Sequence, residues 1–431
     1  MTLNEGQQAA EKAVFQFLLS DAKEFCLTGG PGRGKTFMMK HTMDTTMDSY
    51  MNGMQLLGLK PTISEMFVTA TTNKAAEVLE KTTGYPCTTI HSFLKIKVKN
   101  NFHNGTTSCE KLKSFKIRSN IILFIDEASM IDSSLMAFIH EACDHTCKII
   151  YIGDKDQMAP ITENLSPVYA QPKNLVELTQ PIRNADKPAL IALCDQLKLT
   201  VQTGVFKPIV EVPGVIDFID DAQLQKILDR DFISENVDSR VLCYTNARTN
   251  LYNEYIREIR GYPDRFSEGE ILINGSNYSN ASFQMKIEQS FVVNKVCPET
   301  FTVHLDPFND ACSMECYKIT VSLAGITHAD TADILIPVDP KRKKDLMSYF
   351  KSHRKWQRFF ELQNEYPDLR AKEASTVWKA QGSTYASVIV DLTNISTSRD
   401  NDQVARMLYV SASRPKNRIY FYGELGSRFF I

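Results

Sequence analysis

Residues Gly29 to Thr36 read Gly-Gly-Pro-Gly-Arg-Gly-Lys-Thr, the spacing of a phosphate-binding loop, G-x-x-x-x-G-K-[ST]. Each residue type has a chemical reason. Gly29, Gly30, Gly32 and Gly34 carry no Cβ, so backbone N–H groups can close on phosphate oxygens. A helix starting at the end of the loop adds partial positive charge. Lys35 offers a cation to the β- and γ-phosphates of ATP, and Thr36 a hydroxyl to its Mg2+ ion. Arg33 stands where a small hydroxyl residue is common and adds a cation near the site. Downstream, the apolar run Ile121–Ile125 ends in Asp126 and Glu127. Asp126 is placed to hold magnesium, directly or through water, and Glu127 to orient and activate the attacking water. The two segments together predict a nucleoside triphosphatase. They leave open what hydrolysis drives, because small-molecule kinases share the first motif.

Chemistry at these points needs strands that end where the acids and the loop begin. Phe25–Thr28, Phe67–Ala70, Ile121–Ile125 and Ile149–Ile152 read as buried parallel strands, and Thr36–Met51, Asn73–Lys81 and Ser133–Cys143 as helices between them. That alternation predicts an α/β layer with a parallel sheet. A second set follows. Arg240–Tyr244, Val388–Leu392 and Arg418–Tyr422 read as strands, Asn246–Arg260 and Gln403–Ala412 as helices, and Pro415 marks the end of the last helix. The two halves read as a coarse duplication of one plan. Between about 262 and 373 the rhythm breaks into β-like pieces at Glu270–Ile273, Phe291–Val293, Phe301–Leu305 and Tyr317–Leu323. A basic helical stretch follows, with eight Lys/Arg and one Asp over Lys341–Arg358. The stretch is either a solvated helix face or a surface that braces the two α/β halves or holds nucleic acid.

Bulk properties set limits. At 431 residues the chain is too long for one core. A hydrophobic content of 43% and a charged content of 23% are ordinary for a globular chain. No apolar run reaches the roughly 20 residues of a membrane span, and the first residues lack a signal-peptide pattern. A net charge of −2 gives no bulk preference for nucleic acid, which leaves a local basic groove as the way to bind it. Ten cysteines at irregular spacing read as reduced thiols of a cytoplasmic protein, and the Cys143/Cys147 and Cys312/Cys316 pairs are too loose for a zinc site.

Further segments, in order, resemble the motifs of superfamily 1 helicases. They are Leu3–Gln7 (the Q motif), Thr69–Ala76 (Ia), Thr89–Ser92 (Ib), Gly153–Pro160 (III), Leu178–Arg183 (IV), Ser375–Ser383 (V) and Tyr409–Arg414 (VI). Arg240–Asn246 resembles the strand and turn that open the second motor domain. The ordered set is similar to superfamily 1B, its RecD-like group, and within that the small Dda-type helicases of bacteriophages. Only about 35 residues separate His91 from Asp126, which leaves room for a β-hairpin around Lys95–Lys116 and none for a large helical insertion.

The resemblance implies two RecA-like P-loop NTPase domains, at 1–179 and at 180–261 with 374–431. It implies a small pin hairpin (about 93–118) in the first, and an SH3-like β-barrel with a helical extension (262–373) inserted in the second. It implies that Gln7 reads adenine, against the plainer reading of a helix-start glutamine. Asp154 and Gln157 would sit near the γ-phosphate, Gly382 of motif V would meet the nucleotide, and Arg183 and Arg414 would be arginine fingers. Thr71, Asn73, His91, Ser92, Pro160, Thr245, Asn246 and Thr376 fall at positions that face the strand in relatives. Trp378 stands where relatives have His and is either a base-stacking platform or a core residue. Phe102 on the pin is either a fork-stacking ring or local packing. The expected activity is ATP-dependent 5′ to 3′ movement on single-stranded DNA with unwinding of forked duplex, in phage replication or recombination. The chain would act as a monomer in the host cytoplasm, with a single-strand-binding protein as a further partner. A translocase that strips proteins and unwinds little is the alternative within enzymes; a non-catalytic binding module and a metabolic kinase are the alternatives outside it.

Overall fold

The computed structural model describes all residues except 1–2, 101–106, 161–162, 171, 173, 184–185, 236–237, 263–264, 276–277, 280–282, 286–288, 307–308, 326–329 and 431. Helix α1 (Glu5–Leu19) opens with a reciprocal cap, in which the Asn4 and Gln7 side chains each accept the other's backbone N–H. Strand β1 (Glu24–Gly29) runs into the phosphate loop. Helix α2 (Lys35–His41) leaves it and continues through a π-helical turn at Thr42–Thr46 into α3 (Met47–Leu56). The single helix expected over Thr36–Met51 is thus one path carrying a widened turn. Then come β2 (Glu65–Ala70), α4 (Asn73–Thr83), β3 (Cys87–Thr89) and α5 (Ile90–Leu94), and the antiparallel hairpin β4 (Ile96–Asn100) and β5 (Thr107–Lys111). Strand β6 (Ile121–Asp126), α6 (Ser133–Ala142), β7 (Lys148–Gly153) and β8 (Leu175–Leu178) complete the first unit.

The first sheet has the order β3-β2-β6-β7-β1-β8 and is parallel throughout. Alternation along β6 supplies both cores. Ile122 and Phe124 pack on one face with Leu27 and Met38, and Ile121, Leu123 and Ile125 on the other with Ile139 and Tyr151. The order has a chemical consequence. Because β7 lies between β6 and β1, Asp154 emerges between the phosphate loop and the Asp126–Glu127 pair. The hairpin is anchored at its root. The Arg118 guanidinium lies 4.3 Å from the Phe93 ring centroid and 4.8 Å from that of Phe67. Lys95 turns the chain in the left-handed region (φ 55), and Lys111 pairs with Glu141 of α6. Phe102 lies outside the described residues.

The second unit begins with α7 (Pro188–Thr203), β9 (Ile216–Ile219), α8 (Asp221–Asp231), β10 (Ser239–Cys243) and α9 (Asn246–Ile259). The chain then departs through β11 (Ile271–Asn274), the two-residue pair β12 (Tyr278–Ser279) and β13 (Gln284–Met285), β14 (Ser290–His304), β15 (Ser313–Leu323) and β16 (Thr331–Pro337). Helices α10 (Pro340–Ser352) and α11 (Trp356–Asn364) and strand β17 (Leu369–Arg370) follow. It returns through β18 (Ala374–Thr376), β19 (Tyr385–Asp391), α12 (Leu392–Ile395), α13 (Asn401–Ala412) and β20 (Pro415–Tyr422). The second sheet is also parallel, in the order β18-β10-β19-β20-β9. Its core receives Met158 from the first unit, which joins the two.

The inserted strands form an antiparallel sheet in the order β16-β15-β14-β11-β17. Closure of that sheet into a barrel is not among the pairings of the described residues. The expected pieces Phe291–Val293 and Phe301–Leu305 are one strand, β14, interrupted by register shifts against β15. The basic stretch is helical but breaks at Arg354 (φ 54). Several of its cations fasten the insert to itself. Lys343 Nζ donates to the Tyr366 carbonyl at 2.6 Å, Arg342 Nε to that of Ser313 at 3.1 Å, and Lys355 meets Asp306 at 2.5 Å. Both junctions of the insert are tied to α9. Arg257 holds Glu270 through two bonds of 2.6 and 3.1 Å, and Arg260 holds Glu373 at 3.0 Å, with both carboxylates buried. Removing one partner of such a pair leaves an uncompensated buried charge.

Candidate nucleotide cleft and strand groove

The phosphate loop depends on its glycines for both conformation and space. Gly32 (φ 70) and Gly34 (φ 88) are left-handed. A Cβ on Gly32 would come within 2.6 Å of the Arg183 Cβ, and one on Gly34 within 2.7 Å of Ile182 and 2.8 Å of Gln7 Nε2. Gln7 is buried and its amide oxygen caps α1, so its amide nitrogen is the end facing the loop. Gln7 is thus a helix-start glutamine, as the plainer reading has it, but a buried one rather than an exposed one. Lys35 Nζ donates to the Gly29 and Gly30 carbonyls at 2.6 and 3.1 Å. Thr36 follows in the first turn of α2. Arg33 is turned away from the space the loop encloses: it donates to the Thr179 carbonyl and pairs with Asp195 on α7. It therefore ties the loop to the second unit, a role its sequence position did not suggest.

The acids sit at the end of β6. Glu127 adopts a left-handed φ of 55, a strained setting for a side-chain-bearing residue, and its N–H donates to Asp126 Oδ1 at 2.9 Å. Burial pushes the Asp126 carboxyl up, and the adjacent Glu127 charge adds to this, while the Glu127 N–H and the Lys35 cation oppose it. Asp154 is buried; its Oδ2 accepts from Gln157 Nε2 at 3.3 Å, and its Oδ1 accepts the Asp156 N–H at 3.1 Å. Among the described residues Gln157 Oε1 is buried with no partner.

Both arginines singled out from the sequence reach this place. The Arg183 backbone N–H donates to the Gly32 carbonyl at 2.9 Å, with its side chain exposed. Arg414 arrives from the end of α13. Its guanidinium donates to the Ser383 carbonyl at 3.1 Å and to that of Val410 at 3.0 Å, in the turns around motifs V and VI. Burial lowers its pKa, and the Glu127 carboxylate opposes that. Gly382 stands beside the same carboxylate, 3.6 Å from Glu127 Oε1 to an added Cβ. A small space of about 30 Å³ lies beside the loop, between Pro31–Arg33 and Arg183, Cys194 and Ser413. A glycine cradle with a lysine at its mouth, two acids and an unpartnered buried amide oxygen is a donor and acceptor set that fits a nucleotide with a divalent cation.

On the other side of the same boundary lies a groove of about 990 Å³. Thr71, Asn73, His91 and Pro160 line it from the first unit, and Asn246, Thr376 and Trp378 from the second. Glu127 lines it too, and the Thr71 hydroxyl donates to the Glu127 carbonyl at 3.3 Å, so groove and cleft share a wall. Trp378 is half-buried and lies 5.8 Å from Tyr244, with ring planes 37° apart. Burial lowers the His91 pKa, with Asp132 opposing. Ser92 is exposed beside His91, outside the lining. Thr245 caps α9, and its hydroxyl accepts from Asn394 Nδ2 at 3.1 Å, so it too stands outside the lining. Sequence reasoning missed Tyr244, Lys74, Lys379 and Arg406, which also line the groove. Tyr244 was within reach, as an aromatic next to a helix cap in a segment already singled out.

Residues 2–204 match the AAA domain family. The chain is 22% identical over 471 residues to the ATP-dependent DNA helicase dda of Enterobacteria phage T4, covering 97% of this chain and 99% of the relative. It is 30% identical over 166 residues to the ATP-dependent RecD2 DNA helicase of Deinococcus radiodurans, covering 38% of this chain and 20% of that one. Among solved structures, the Pif1 helicase from Bacteroides in complex with ADP-AlF3 and single-stranded DNA shares the fold. Its TM-score is 0.51 and its identity 14%, covering 100% of this chain and 94% of that one. Among the described residues no helix is long and apolar enough to cross a membrane.

Proposed function

We propose, starting from a chain that resembles the superfamily 1B helicases of the RecD-like, Dda-type group over almost its whole length, that it is an ATP-dependent DNA helicase. It moves 5′ to 3′ on a single strand and splits forked duplex. One observation carries this reading: Gly382 of the second unit stands against Glu127 of the first, and Glu127 lines a groove wide enough for a polymer.

Lys35 and the loop N–H groups hold the phosphates of ATP, and Gln7 the adenine, through its amide nitrogen. Thr36 and Asp126 hold magnesium. The ion supplies charge neutralisation across the phosphates. Glu127 takes up the proton of the attacking water. Arg183 and Arg414 stabilise charge that develops in the transition state, and Asp154 and Gln157 face the γ-phosphate. Nucleotide binding favours the closed cleft because both units contribute contacts; product loss relaxes it. Thr71, Asn73, His91, Asn246 and Thr376 contact the strand's backbone, and Trp378 stacks on a base.

Residues 1–179 and 180–261 with 374–431 act as the two motor domains, and 262–373 as an SH3-like barrel with its helical extension. The hairpin of β4 and β5, braced by Arg118, acts as the pin against which the duplex parts. The setting is the cytoplasm of a phage-infected host, in replication or recombination. The chain works as a monomer, with a single-strand-binding protein nearby.

The test is unwinding of paired substrates carrying a 5′ or a 3′ tail, with ATP. The 5′-tailed substrate is expected to separate and the 3′-tailed one to stay paired. The reverse pattern overturns the polarity. Strand-stimulated ATP turnover without separation of either substrate points to a translocase that strips proteins.

A further inference from the structure

Helix α13 carries two side chains, one turn apart, to which no role has yet been given. The Tyr409 hydroxyl donates to Asp154 Oδ2 at 2.8 Å, and both residues are buried. A Cβ on Gly30 would stand 3.1 Å from the same hydroxyl. Tyr409 therefore belongs to the second sheet's core and touches the first unit's phosphate loop and its 154–160 segment at once. The Asp154 oxygen it grips is the one that accepts from Gln157, whose own amide oxygen is buried without a partner.

Three residues earlier, Arg406 donates to the carbonyls of Lys155 at 2.9 Å and Gln157 at 2.6 Å, and is steadied by Asp402 at 2.7 Å. Arg406 also lines the groove, beside Met158 and Pro160. The segment 154–160 is thus held from α13 at two places. Tyr409 holds it at the phosphate end, and Arg406 holds it where the segment turns into the groove. These contacts cross between the units, so any change in how the units sit must either move the segment or break the contacts. Buried bonds to a carboxylate are costly to leave unmade.

We infer that Tyr409 and Arg406 are positioning residues that couple the nucleotide cleft to the strand groove. The Tyr409 hydroxyl orients Asp154 and Gln157 toward the phosphates, and Arg406 carries the resulting setting of 154–160 to the strand. The inference rests on the reading of cleft and groove given above. Coupling of this kind is a difference in strand affinity between nucleotide states, so it can be measured without turnover.

The experiment is fluorescence anisotropy of a labelled oligo-dT strand with the full chain, with no nucleotide and with ADP plus aluminium fluoride and magnesium. The wild-type dissociation constants are expected to differ by about tenfold between the two conditions. Tyr409→Phe keeps the ring in its packing and removes only the hydroxyl. It is expected to shrink that ratio to about twofold or less, and Arg406→Gln to do the same, with Arg406→Lys in between. A Tyr409→Phe ratio equal to the wild type's overturns the inference and leaves the helicase reading standing. A wild-type affinity that ignores nucleotide overturns the inference as well. A wild type that binds no strand in either condition removes the helicase reading itself.

Discussion

The cleft and the groove cross the same boundary between two parallel sheets, yet they are built from different side chains. On the cleft side the second unit reaches in with Gly382 against Glu127 and the buried Tyr409 hydroxyl on Asp154, and at the exposed rim Asp195 answers Arg33 of the loop. On the groove side short polar groups, the Tyr244–Trp378 pair and the cations Lys74, Lys379 and Arg406 face about 990 Å³. The contrast is physical. Phosphates are small and highly charged, and are best met by groups already desolvated and aimed. A strand must slide, so its wall needs flat rings and hydroxyls that hold without demanding one register. Coupling then depends on the material between the two, the 154–160 segment held by α13.

The largest way to break this contrast is at the acid that ends β6. Asp126→Asn is expected to lower strand-stimulated ATP turnover by about a hundredfold or more. The same change is expected to stabilise the nucleotide-free protein. Burial and the Glu127 charge raise the Asp126 pKa, so its charged form is disfavoured in the fold. The sign follows from proton linkage. The penalty is absent below the ordinary aspartate value of about 4, grows as pH rises past it, and is complete above the raised folded value. Thermal melts from pH 4 to 8 should therefore show the variant gaining on the wild type as pH rises. An equal or lower melting temperature at pH 8 contradicts a buried, repelled carboxylate.

The groove side predicts a middle effect with a different signature. Trp378→Ala is expected to weaken oligo-dT binding about tenfold, as the loss of a base stack does, while Trp378→Phe keeps most of the affinity. Anisotropy titrations check it. A weakening under twofold for the alanine variant assigns Trp378 to the core instead. The smallest effect belongs to the clasp at the cleft's rim. Asp195 is half exposed, so its pair with Arg33 is screened by solvent. Asp195→Asn is expected to shift the KM for ATP by about twofold with little change in kcat. A tenfold change in kcat places Arg33 among the groups that act on the phosphates.

The two sides also differ in how far the sequence reveals them. The loop, the Asp126–Glu127 pair and the apolar strands β1, β2, β6 and β7 are legible because each is a local pattern. So is β10, read at Arg240–Tyr244 and found at Ser239–Cys243. Short strands such as β3, β8 and β9 have too few residues to show a period, and they exist because neighbours pair with them. The cross-boundary contacts were hidden for another reason. Tyr409 and Asp154 lie 255 positions apart, and Arg406 and Gln157 lie 249 apart, so nothing in either segment announces the other. The same holds for Arg257 with Glu270 and Arg260 with Glu373, which read as ordinary surface charges on α9 until the insert folds against them. Arg33 was visible only as an oddity of the loop; its partner on α7 makes it a fastening.

Steady-state ATP hydrolysis by the purified full chain, with and without oligo-dT, bears most directly on a cleft and a groove that work as one machine. Turnover is expected to rise at least about tenfold when the strand is added, and Lys35→Ala is expected to lose the strand-stimulated rate altogether. A wild-type rate indifferent to the strand, or a Lys35→Ala variant that keeps robust stimulation, contradicts it.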